Sequence, residues 1–152
     1  MIIHFICRGN SFRSIIAEAY LNSLELKDLG VLSSGTAAAL HKARNLAYHR
    51  LTLELLAKHG IRGFAKAGYG DQLTQSRLDE ADIVICMNQR VYEECLPSVT
   101  FSVRPLVWSV TDIGEPGRIS DVESETQLYR EEAYQEIARN VEFLVSDVLC
   151  VP

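Results

Sequence analysis

The sequence predicts an α/β domain in which a parallel sheet carries helices on both faces. Three observations point there. Four short apolar runs, Ile2–Cys7, Val31–Ser34, Asp82–Met87 and Val103–Trp108, have strand character. Helix-like stretches separate them, and that alternation implies βαβ crossovers. The third run is apolar without alternation, as a strand covered on both faces must be. The 152 residues suit one domain, 1–152, with one core and neither repeats nor a linker.

Each element has its own signal. After the first strand, a helix over Ser14–Lys27 is expected to close at Asp28-Leu29-Gly30, with the glycine as C-cap. A second helix over Ala43–His59 places Leu51 and Leu55 on one face and stops at Gly60. Shorter helices fit Leu73–Leu78 and Gln89–Cys95, the latter ending before Pro97. The last helix starts from a capping-box pattern at Ser124 and Gln127. Its apolar positions recur at Tyr134, Ile137, Ala138, Val141, Leu144, Val145 and Val148. Glu123, Glu125, Glu131, Glu132 and Glu136 read as its solvated face.

Composition excludes several functions. The net charge is −5, which offers no electrostatic footprint for nucleic acid or anionic lipid. No run reaches membrane-spanning length, and the first residues carry no basic leader pattern. Cys7, Cys86, Cys95 and Cys150 lie far apart, without C-x-x-C or zinc-site spacing. That usage fits a reducing compartment, so the expectation is cytoplasmic. His4, His41, His49 and His59 are scattered, and only His41 lies near the presumed site.

Chemistry concentrates in Cys7-Arg8-Gly9-Asn10-Ser11-Phe12-Arg13-Ser14. The flanks read as strand and helix, so a cysteine ends a buried strand and an arginine opens a helix. A loop entering a helix N-terminus offers unpaired N–H groups and the positive end of the helix dipole, a cradle for a tetrahedral oxyanion. Gly9 and Asn10 tolerate the left-handed dihedrals that such a curl demands. Arg13 can clamp two phosphoryl oxygens with its planar fork. Ser14 can donate to the sulfur of Cys7, which is expected to lose its proton more readily than a free cysteine. The C-x5-R spacing alone is weak; the strand–loop–helix setting and Ser14 raise it. In parallel sheets the site lies beyond the strand C-termini, where Cys7 and Asp112 can meet. On the residues alone, Asp112 reads as a turn residue before Gly114.

This octapeptide, with Ala17-Glu18 behind it, resembles the signature of the low-molecular-weight protein tyrosine phosphatases and the related thioredoxin-coupled arsenate reductases. Ser33-Ser34-Gly35-Thr36, Gln72-Leu73-Thr74 and Ala81-Asp82-Ile83-Val84-Ile85-Cys86-Met87-Asn88 match further landmarks in order. The resemblance covers nearly the whole chain. It implies a four-stranded parallel sheet in one three-layer domain, no metal and no cofactor. It further implies that Cys7 attacks phosphorus, Arg13 holds the phosphoryl group and Asp112 is the general acid. Arg8, Gly9, Asn10, Ser11, Phe12, Arg13 and Ser14 would bind the substrate. The partner would be a phosphorylated protein or small phosphomonoester, with phosphate or another tetrahedral oxyanion as ligand.

Departures bear on the substrate. Phe12 replaces a second signature cysteine found in many members, and Ile15 replaces a proline. Ile113-Gly114 replaces a proline–aromatic pair, and Ala37-Ala38-Ala39-Leu40 lacks an aromatic. Phe12, Leu40 and Tyr69 remain as lining candidates, Tyr69 in a loop expected to be mobile. Glu115 and Asp121 are weaker candidates for the acid. Ser11 stands where tyrosine phosphatases often carry an aliphatic residue, arsenate reductases serine and a phosphoarginine phosphatase subgroup threonine. Phosphotyrosine hydrolysis is therefore the leading expectation. Arsenate reduction, phosphoarginine hydrolysis and non-catalytic phosphate binding are the alternatives. Arsenate reduction needs two further cysteines; Cys95 stands at a suitable distance, but Asn88 occupies the other position. Tyr129 and Tyr134, phosphorylation candidates by family analogy, read rather as core or surface residues.

Overall fold

Burial of the run Ile3 to Cys7 makes β1, Ile2–Cys7, the centre of the sheet. The structure, a computed structural model, describes residues 1–112 and 123–150; the side chains of 123–125 lie outside it. β2 (Gly30–Gly35), β3 (Ile83–Cys86) and β4 (Leu106–Val107) complete a four-stranded sheet of order β2-β1-β3-β4, every pairing parallel. The strand period of two sorts the side chains between two layers. Ile3, Phe5, Cys7, Ile85 and Met87 join the core under α1 (Arg13–Ser23) and α5 (Glu123–Phe143), with Leu55 and Leu56 of α2 (Ala38–Lys58). Ile6, Val84 and Cys86 face the other way, against Leu78 of α3 (Gln75–Asp79) and Val91 and Cys95 of α4 (Gln89–Cys95). The three-layer α/β expectation is met.

Boundaries moved where local chemistry overrode the pattern. α1 ends at Ser23, not Lys27: Glu25 and Asp28 take positive φ (48° and 57°), and Gly30 begins β2 instead of capping a helix. Its N–H is drawn to the carbonyl of Met1 at 2.8 Å. α2 begins at Ala38, because Ala37-Ala38-Ala39 is a run of the strongest helix former. It stops as expected at Gly60 (φ 74°), where the N–H groups of Gly60 and Ile61 return to Ala57 and Leu56 in a Schellman closure. β4 shrinks to two residues after Pro105, which has no N–H for a ladder.

Tyr134, Ile137, Ala138, Val141 and Leu144 of the last helix are buried as expected. Val148 is exposed, since a π-helical turn over Leu144–Val148 changes the phase of the final stretch. The Ser124 capping side chain falls outside the described residues. Tyr134 stacks on His59 at 3.7 Å, a core role.

His4 lies within this sheet, fully buried, with Nε2 2.7 Å from Ser34 Oγ. Burial foremost lowers its pKa from 6.5 to about 4. Between those values the unfolded chain takes up a proton that the folded one refuses, so acidification costs stability. The loss reaches about 3 kcal/mol below the lower value. Glu18, pushed up by burial, acts in the opposite sense. The comparison is therefore between proteins: urea midpoints at pH 7 and 4.5 should differ less in His4→Gln than in the wild type. An unchanged pH difference would remove His4 from the account.

Candidate active site

β1 delivers Cys7 to the C-terminal edge of the sheet, and the chain then curls into α1 within five residues. The curl is set by Asn10, held at φ 50°. Gly9, expected to share that role, is not at positive φ; a Cβ there would meet the side-chain end of Asn45, Nδ2, at 2.3 Å, so Asn45 would have to move aside. Gly35 lies beneath the curl, where a Cβ would stand 2.4 Å from the Arg8 carbonyl and 2.8 Å from the Asn10 nitrogen. The N–H groups of Thr36 and Ala37 bond the Cys7 and Arg8 carbonyls at 3.0 and 2.9 Å. Gly35→Ala should therefore displace the curl, costing about 1–3 kcal/mol by overpacking. It should weaken phosphate binding in parallel, measured by urea unfolding and calorimetry; retention of both would contradict this packing.

Cys7 Sγ, on a residue only 3 % exposed, receives the Asn10 N–H at 3.2 Å and lies 3.0 Å from Ser14 Oγ. Phe12, the N-cap of α1, has no side-chain acceptor, so nothing of its own caps the helix. Its ring is 5 % exposed and joins the core with Ile15 and Ile16. The expectation that Phe12 lines the pocket is corrected: only its main chain can face an anion. Ser11 is also buried, its carbonyl accepting from Thr52 Oγ1 at 2.7 Å. Arg8 stays 42 % exposed, 3.9 Å from Glu94.

Arg13 and Asp112 meet. The Arg13 side chain, 2 % exposed, donates from Nη1 to the Val110 carbonyl at 2.9 Å and from Nη2 to Asp112 Oδ2 at 3.1 Å. The approach follows from the sheet, because the N–H groups of Trp108 and Val110 bond the Cys86 and Met87 carbonyls and carry the chain along the end of β3. Asn88 caps α4 through Val91 and reaches the same Val110 carbonyl at 3.4 Å. Ile113, Gly114, Glu115 and Asp121 lie outside the described residues.

Several participants carried no functional reading in the sequence. Lys66 donates to Asn10 Oδ1, the Ser33 carbonyl and Asp71 Oδ2 at 2.8, 3.2 and 2.8 Å. Asn10 Nδ2 bonds Ser14 Oγ and Ser33 Oγ, each at 2.9 Å, and Ser33 donates to Glu18. Burial alone would push the Asp71 carboxyl up; the Lys66 bond and charge, with Arg77 and Lys42, overturn this and hold it below the usual range. Tyr69, expected to be mobile, is pinned: it stacks on His49 at 4.5 Å, lies beneath Lys42 and donates to the Lys42 carbonyl. Leu40 is 79 % exposed on the first turn of α2. Only the isolation of Lys66 among the small residues Ala65, Ala67 and Gly68 marked it in the sequence.

Among the described residues, no three His, Cys, Asp or Glu side chains gather as a metal site, and no helix is long and apolar enough to cross a membrane. What the site brings together is a buried cysteine sulfur against the Asn10 N–H and the Ser14 hydroxyl, a buried guanidinium, and a carboxylate beside it. The same fold occurs in the tyrosine phosphatase Wzb from Escherichia coli K30, solved with sulphate, at 17 % identity and TM-score 0.69, covering 97 % of each chain. The YwlE arginine phosphatase from Geobacillus stearothermophilus is similar at 22 % identity and TM-score 0.56, over 99 % of this chain and 97 % of that one. A thioredoxin-dependent arsenate reductase from Corynebacterium glutamicum matches at 22 % identity and TM-score 0.67, over 98 % of this chain and 62 % of the other. No curated protein matches the sequence at a significant level. The family model for low molecular weight phosphotyrosine protein phosphatase, however, matches residues 2–148, and the chain belongs to that family.

Proposed function

We propose that this chain hydrolyses phosphomonoesters, phosphotyrosine in proteins first among them, through a thiophosphate intermediate on Cys7. The observation that carries the reading is the convergence of Cys7 Sγ, Ser14 Oγ and the Asn10 N–H at one helix entrance, with Asp112 3.1 Å from Arg13. The Cys7 thiolate attacks phosphorus in line, the S–P bond forming as the P–O bond to the leaving group breaks. Asp112 supplies the proton that the leaving oxygen takes. Water then attacks phosphorus, giving its proton to Asp112, and phosphate departs as the thiolate returns. Arg13 and the loop amides of residues 8–14 spread the charge on the equatorial oxygens. No cofactor enters these steps. Four free cysteines fit a reducing cytoplasm.

Arsenate reduction finds less support. A relay needs a second thiolate able to attack the first adduct. Cys86 and Cys95 are fully buried, and the Cys95 hydrogen bond followed by burial drives Cys86 far up, keeping it a thiol. The test offers the wild type p-nitrophenyl phosphate, phosphotyrosine and phosphoarginine peptides, and arsenate with thioredoxin. Turnover of p-nitrophenyl phosphate and the phosphotyrosine peptide is expected. Faster release from phosphoarginine would reassign the substrate, and arsenate reduction without ester hydrolysis would overturn the reading. Stoichiometric phosphate binding without turnover would leave a binding module.

A further inference from the structure

We propose that Lys66 is a positioning residue of this site: its ammonium sets the direction of a hydrogen-bond chain that ends at the Cys7 sulfur. The inference rests on the hydrolytic reading for its purpose, but not for its geometry.

The chain can be followed by donors and acceptors. Asn10 Oδ1 lies 2.8 Å from Lys66 Nζ and 3.0 Å from the Asp71 N–H, two groups that can only donate. The amide oxygen must therefore face them, and Nδ2 must face Ser14 Oγ and Ser33 Oγ, one N–H to each at 2.9 Å. The Ser33 hydroxyl then donates its own hydrogen bond to Glu18. Ser14, already an acceptor from Asn10, has one proton left and a sulfur 3.0 Å away. The hydroxyl donates to the Cys7 sulfur, a hydrogen bond that is strongest when that sulfur carries the negative charge its attack on phosphorus requires. With the Asn10 amide reversed, its oxygen would compete for that same proton.

Lys66 is suited to this by its surroundings. Its side chain is 17 % exposed, 2.8 Å from Asp71 and 3.9 Å from Glu18. Arg77 from α3 lies 3.6 Å from Asp71, and His4 of β1 and His49 of α2 also feel its charge. The ammonium is thus the donor at the centre of a buried polar group behind the loop, while Arg13 addresses the front.

The test is the alkylation of Cys7 by iodoacetamide at pH 6 and pH 9, read by peptide mass so that Cys150 does not interfere. Lys66→Met should slow the reaction about fivefold at pH 6, the worth of one hydrogen bond, and leave it unchanged at pH 9. Lys66→Arg, still a donor-only cation, should stay within about twofold of wild type at both. A purely structural role would lower the urea midpoint without changing the ratio of the two rates, and that result overturns the proposal. Equal slowing in Lys66→Arg and Lys66→Met, both folded, also overturns it. Should Lys66→Met fail to fold, Lys66→Gln decides. Its amide presents oxygen as readily as nitrogen, so slowing at pH 6 alone is expected and a wild-type ratio refutes. Since alkylation needs no turnover, failure of the hydrolase reading would appear separately, as a wild type that alkylates normally yet cleaves no p-nitrophenyl phosphate.

Discussion

Cys7→Ser will reduce hydrolysis of p-nitrophenyl phosphate by about a millionfold, the scale on which loss of a nucleophile is felt, while phosphate binding persists. The two halves of the result have separate origins. A serine hydroxyl held where Cys7 sits, buried beside Ser14, has no base within the described contacts to take its proton. On the proposed reading, the affinity for oxyanions would belong to the loop amides and to Arg13, whose side chain is 2 % exposed and anchored on the Val110 carbonyl. Steady-state rates with calorimetric titration of phosphate measure both. Residual turnover within a hundredfold of wild type would show that the sulfur is not the nucleophile. Loss of phosphate binding with retained fold would show that the sulfur, not the amides, carries the anion site.

The second large effect concerns the leaving group. Asp112→Asn should slow phenyl phosphate by about 10²–10⁴-fold, the range for a displaced general acid. It should slow p-nitrophenyl phosphate far less, because p-nitrophenolate departs without help. The carboxylate stands 3.1 Å from the guanidinium that would grip the phosphoryl group, so its placement suits proton delivery to the ester oxygen. Equal slowing of both esters would point instead to disturbance of Arg13. In that case Asp112 orients the guanidinium and the acid must be sought elsewhere.

Much of the fold was legible because burial wrote it into the chain. β1 is buried from Ile3 to Cys7 in one apolar run, so Ile2–Cys7 was read to the residue. α4 was also read to its ends, since Asn88 caps it and Pro97 lies just beyond. Reading failed where long-range pairing chose between local options. Gly30 looked like a helix stop, yet its pairing with Ile2 made it the first residue of a strand. Phe12 looked like a pocket wall, yet at the entrance of α1 it is buried in the core with Ile15 and Ile16.

For the site, the sequence by itself determined the chemistry available: a thiol, a guanidinium and an amide-rich curl within eight consecutive residues. Their spacing along one strand–helix turn is local, so no distant contact was needed to recognise them. Only the tertiary structure decided which remote residues complete them. Lys66, Asp71 and Ser33 converge on Asn10, and Asp112 on Arg13, because parallel strands end at a common edge. Partners separated by 23 to 99 residues leave no periodic signal. Their meeting is a property of sheet order and register, which one-dimensional patterns do not carry.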